Sequence, residues 1–166
     1  MVGVPTEWDV VARVALAFGL TFVIGFERQL RGGPAGDRTY ALVGTAAGVV
    51  SAIAVLKGAG NAIAGVVTGV GFIGGALVFR QGTEAQLRGL TSAAAVFTAA
   101  TIGVAAGAGY PWLAVVSTGL VLLTLEVRFI PALQYLDARR YVGRFMPDDE
   151  PPTPSGRRDP PAPGGR

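Results

Sequence analysis

Five charged residues, Glu27, Arg28, Arg31, Asp37 and Arg38, fall within twelve positions of the stretch GFERQLRGGPAGDRT that runs from Gly25 to Thr39. A carboxylate set among guanidinium groups can form ion pairs, and whichever charge is left over can take a hard cation or an anion. A second polar stretch, Arg80 to Leu90, leads into Thr91 and carries Arg88. Polar residues of these stretches that could meet at one membrane face include Glu27, Arg28, Arg38, Thr39, Arg88 and Thr91, with Glu126 and Arg128 where the last apolar run ends. The architectural alternative has Glu27 pairing with Arg31 one helical turn later and the other arginines touching lipid phosphates.

Other chemistries are closed off by composition. The 166 residues include no cysteine and no histidine, so thiol nucleophiles, disulfides, zinc sites and imidazole acid/base catalysis are excluded. A serine or threonine nucleophile needs a neighbouring base, and Lys57 is poorly placed to be one. An enzyme is not expected, and neither is a cofactor. Thirteen arginines and one lysine make the chain basic. No aromatic or groove-reading element accompanies them, so nucleic acid is not an expected partner, whereas membrane lipid is.

The surrounding chain explains what must hold these residues. Only 15% of it is charged, against about a quarter in soluble domains, and the apolar residues arrive in blocks. The expected architecture is all-α: a compact membrane bundle of about five transmembrane helices over residues 1–126. The apolar blocks run to Phe26, from Tyr40 to Leu56, from Ala62 to Phe79, from Thr91 or Ser92 as a cap to about Gly107, and over a short last run, Leu113 to Leu125. On the first helix, Arg13, Leu16, Leu20, Ile24 and Glu27 share one face, the expected protein-facing side. Tyr110 and Trp112 suit a headgroup belt. Residues 127–146 read as an amphipathic segment at the cytoplasmic surface and 147–166 as a disordered Pro/Gly-rich tail.

Loop charge predicts orientation. Arginines occupy the first and third loops and the tail, while the second loop has only Lys57 and the fourth has no basic residue. That alternation places the N-terminus outside and the tail in the cytoplasm. With Asp37 as the expected N-cap, Arg38 falls in the first turn of the second helix, where the dipole disfavours a cation by a few tenths of a kcal/mol. Glu27 or a bound anion is the expected compensating partner.

Small residues recur at four-residue spacing: Gly44 and Gly48, Gly65 and Gly69, Gly71 and Gly75, Gly103 and Gly107. Close helix packing and self-association are the usual consequences. The dense run Gly69, Gly71, Phe72, Gly74 and Gly75 carries a second expectation, a locally unwound third helix whose carbonyls line a path.

Three segments in order, GFERQLRGGPAGDRTYALVG, VVTGVGFIGGALVFRQG and LRGLTSAAAVFTAATIGVAAGAGY, resemble the MgtC/SapB family of bacterial inner-membrane proteins. The matching positions are Gly25, Glu27 and Arg28; Ala35, Gly36, Arg38 and Thr39; Gly69, Gly71, Phe72 and Gly74; and Arg88, Gly89, Leu90, Thr91, Ala93 and Ala94. Departures are Tyr40 where histidine is usual, Ile73-Gly74-Gly75-Ala76 in the glycine element, and Ser92 in place of a second threonine. The resemblance implies a virulence-associated role in magnesium homeostasis or low-magnesium stress, exerted on other inner-membrane proteins by a homo-oligomer. The alternative is a small-ion transporter or channel with a cytoplasmic vestibule, in which Glu27 is the candidate ligand for Mg2+.

Overall fold

The computed structural model describes residues 5–79 and 86–126, and for residues 79 and 86–88 the backbone alone. The expected amphipathic segment at 127–146, the tail and Arg80, Thr83, Glu84 and Arg128 lie outside the described residues. Five helices follow one another: α1 (Glu7–Leu30), α2 (Asp37–Lys57), α3 (Gly60–Phe79), α4 (Gln86–Gly107) and α5 (Pro111–Glu126). Among the described residues there is no strand.

Local chemistry sets the helix ends. Thr6 caps α1 reciprocally: its hydroxyl accepts from the Asp9 amide at 3.2 Å and the Asp9 carboxylate accepts from the Thr6 amide at 2.8 Å. At the far end Gly32 takes the left-handed conformation (φ 66°), and the Gly33 amide closes back on the Arg28 carbonyl at 2.8 Å. Gly58 ends α2 in the same way, with the Ala59 amide on the Ala54 carbonyl. Pro111 opens α5 at the position where a missing N–H costs nothing.

Two ends differ from the sequence reading. Gly36, not Asp37, is the N-cap of α2 and makes no side-chain cap, so Asp37 is the first helical residue. Helix α4 begins at Gln86, which puts Thr91 and Ser92 inside it rather than at its start. Thr91 is not needed as a cap because the polar residues before it are already helical.

Four helices, Glu7–Leu30, Asp37–Lys57, Gly60–Val78 and Gly89–Gly107, are long and apolar enough to cross a membrane. The 16 residues of α5 span about 24 Å at ~1.5 Å per residue. The bundle is small-side-in. Ala17, Tyr40, Ala47, Ala99 and Ala106 are buried, whereas Leu42, Phe72, Trp112 and Leu120 are exposed. Lipid accepts large apolar side chains, so alanine and glycine are left to make the helix contacts.

The centre is the crossing of α2 and α4. A Cβ on Gly103 would overlap the Gly44 carbonyl, and one on Gly107 the Gly48 carbonyl, so the two glycine pairs lie backbone to backbone in the same order. That order makes α2 and α4 parallel. Across the seam the Ser51 hydroxyl donates to the Val104 carbonyl at 2.9 Å. Helix α1 packs on the same seam: a Cβ on Gly44 would strike Thr21, and one on Gly48 would come within 2.9 Å of the Ala17 methyl.

Helix α3 is peripheral, with 11% of its span buried against 44% for α2 and 50% for α4. It is helical from Gly60 through Phe79, so the expected unwinding at Gly69 to Gly75 does not occur. Glycine permits but does not force a break, and in lipid the intrahelical hydrogen bonds have no competitor. Gly74 touches Ala93 of α4, while a Cβ at Gly65, Gly69, Gly71 or Gly75 would meet open space.

Candidate functional site

The ends of the helices sort the polar residues. Trp8, Tyr110 and Trp112, all strongly exposed, mark one end of the bundle, where the Arg13 guanidinium packs against Gly109 (φ 92°) in the turn before α5. At the other end are the last turns of α1 and α5, the first turn of α2 and the start of α4. Two approaches between helices make this end compact. A Cβ on Gly25 would lie 2.7 Å from the Asp37 Cα and 2.8 Å from the Tyr40 Cβ, and one on Gly89 would lie 2.9 Å from the Leu77 carbonyl oxygen.

Arg28 points inward. Its Nη2 donates to the Ser92 hydroxyl at 3.2 Å, while its Nε is buried without a hydrogen-bond partner. Tyr40, fully buried, donates its hydroxyl to the Ser92 carbonyl at 3.4 Å. Ser92 thus receives two helices, α1 through Arg28 and α2 through Tyr40. Neither Ser92 nor Tyr40 belongs to the set read from sequence, although both were visible there as departures from the family pattern.

Glu27 points towards α5. Both carboxylate oxygens are buried without a hydrogen bond, and Arg31 Nε lies 3.6 Å from Oε1. Arg31 is drawn further to Glu126, whose two oxygens accept from its Nη2 at 2.8 and 2.6 Å. Donating these hydrogen bonds to Glu126 holds the Arg31 pKa above its ordinary value, so the guanidinium stays charged. One arginine therefore serves two carboxylates and joins α1 to α5. Arg28 and Glu126 are the other charged neighbours of Glu27.

Not every expected member joins this group. Thr91 is exposed, one residue and about 100° of helix rotation from the buried Ser92. Arg38 is exposed, and its guanidinium makes no hydrogen bond or ion pair among the described residues, so Glu27 is not the expected compensating partner. With Gln29, Gly36, Asp37 and Thr39 it lines a separate surface cavity of about 390 Å3. The Arg88 side chain lies outside the described residues. No group of three or more His, Cys, Asp or Glu suited to a metal occurs among the described residues.

The Arg31–Glu126 pair is accessible, with side chains 36% and 28% exposed, so its contribution is solvent-screened. Glu126→Gln is expected to lower stability only slightly, with the difference shrinking in high salt. Thermal unfolding in detergent at two salt concentrations checks this.

Four span-length apolar helices and a shorter fifth, with small residues inside and charges kept to the helix ends, define a multi-pass helical membrane protein. Within that class the chain belongs to the MgtC family, whose model matches residues 14–130. Relatives include protein MgtC of Brucella abortus, 35% identical over 82% of this chain and 58% of its own length. Protein SrpB of Synechococcus elongatus is 34% identical over 69% of this chain and 71% of its own. YhiD of Escherichia coli K12, named as a candidate magnesium transporter, is 35% identical over 72% and 60%. The chain thus spans about six tenths of the Brucella and Escherichia relatives. No solved structure matches it.

Proposed function

We propose that the protein acts in magnesium homeostasis or low-magnesium adaptation at the bacterial inner membrane, by associating with other membrane proteins through its polar end. On this reading the N-terminus is outside and the polar end faces the cytoplasm, as the loop arginines favour. One observation carries the proposal. Glu27, Arg28, Arg31 and Glu126 offset one another where the helices meet, whereas Arg38 is exposed, makes no ion pair among the described residues and borders its own cavity. A cation left over at a helix start, where the dipole disfavours it, is suited to an anionic group from outside.

Arg38→Ala is expected to leave insertion and abundance unchanged and to abolish complementation of a deletion strain under magnesium limitation. Loss of the protein from the membrane would instead make Arg38 architectural. Transport is the second reading, favoured by the name of YhiD. Purified protein in liposomes, assayed for magnesium flux with Glu27→Gln as control, separates the two: flux that the control removes would replace the present proposal.

A further inference from the structure

Between α1 and α5 lies an open cavity of about 420 Å3 whose two halves differ in kind. Its walls one turn before the charged residues are apolar, Val23 and Phe26 on α1 and Leu122 on α5, while Glu27, Arg31 and Glu126 form its polar end. Phe26 and Leu30 are 50% and 70% exposed, so the groove opens sideways to the surrounding lipid. The order along the helices, apolar and then charged, is that of a phospholipid in the same leaflet.

The charges narrow the head group. Glu27, Glu126 and Arg31 face the groove, and Arg28, beside Glu27 but outside the lining, brings the four charges into balance, so the polar end presents both signs, with the carbonyl end of α1 adding partial negative charge. A bare cation meets Arg31, and a simple anion meets Glu27 and Glu126. A zwitterion satisfies both signs. Carboxylate oxygens are acceptors only, so a head group with N–H donors is required, which a quaternary ammonium lacks.

We propose that this groove binds a zwitterionic phospholipid with a primary ammonium, of the phosphatidylethanolamine type. The ammonium donates to Glu126, the phosphate accepts from Arg31, and an acyl chain lies along Val23, Phe26 and Leu122. The site is separate from the Arg38 surface and does not depend on the function proposed for it.

The test places the full chain in nanodiscs holding equal amounts of phosphatidylethanolamine, phosphatidylglycerol and phosphatidylcholine with matched acyl chains. Lipids retained after extraction are then counted by native mass spectrometry. Phosphatidylethanolamine is expected to be retained about tenfold over either of the others, the scale of one charge-assisted hydrogen bond. Glu126→Gln should bring it down to the phosphatidylcholine level. Leu122→Trp, which fills the apolar half without touching a charge, should lower it as well and serves if the first variant is unstable. Equal or greater retention of phosphatidylglycerol or phosphatidylcholine by the unaltered protein overturns the proposal, as does retention unchanged in either variant.

Discussion

Gly103→Leu is expected to prevent the bundle from assembling, at a cost above ~3 kcal/mol. Overpacking a core usually costs about 1–3 kcal/mol because side chains can give way. Here nothing of that kind is available. The first added atom would lie inside the Gly44 carbonyl, which is backbone in the middle of α2 and already hydrogen-bonded along its own helix. Moving α2 away would open the neighbouring Gly107–Gly48 contact and the Ser51–Val104 hydrogen bond, and with them the seats of Thr21 and Ala17 on α1. Membrane abundance and thermal stability in detergent should both collapse. Gly71→Leu is the matched control on α3, where a Cβ meets open space. Equal loss in the two variants would mean that the glycines act through helix flexibility instead of close approach.

Arg28→Met should have the next largest effect, about 2 kcal/mol, the scale of a lost charge-assisted hydrogen bond together with a part-buried carboxylate deprived of a neighbouring cation. The loss has two parts. Ser92 gives up its link to α1, and Glu27, whose oxygens are buried, is left with Arg31 alone at 3.6 Å. Ser92→Ala removes only the first part and should cost about 1 kcal/mol. Because the second part comes from an uncompensated carboxylate, Glu27→Gln combined with Arg28→Met should be less destabilising than the sum of the single changes. Unfolding of the four proteins in detergent measures the coupling. Strict additivity would show that Arg28 serves Ser92 and Tyr40 and has no energetic tie to Glu27.

The two experiments address different layers. Gly103 tests the seam on which the polar end is built, and Arg28 tests the polar end with the seam intact. Both are separable from Arg38, whose exposed side chain makes no hydrogen bond or ion pair among the described residues. If function follows Arg38 while stability follows Gly103 and Arg28, the interior charges are the frame and the surface arginine is the contact.

Much of this organisation was legible in the sequence for simple reasons. Membrane solvent shows in blocks of apolar residues with few charges, and five blocks became five helices. A period near 3.6 places Leu16, Leu20, Ile24 and Glu27 on one face, and that face is turned inward, with Ile24 fully buried. The pairing of Glu27 with Arg31 needs only their four-residue spacing. The family followed from three motifs in order.

What the sequence could not determine depends on which helix faces which. Four glycine pairs share one spacing, yet only Gly44–Gly48 and Gly103–Gly107 meet, because α2 and α4 are parallel central helices while α3 is peripheral. Thr91 and Ser92 are adjacent in sequence, but the rotation of α4 turns only Ser92 to Arg28 and Tyr40. Glu126 lies 95 positions from Arg31, and no local rule links them. Spacing fixes a residue's direction from its own helix axis. The neighbour found in that direction is set by how the five helices pack, and close approach at glycine decides that packing.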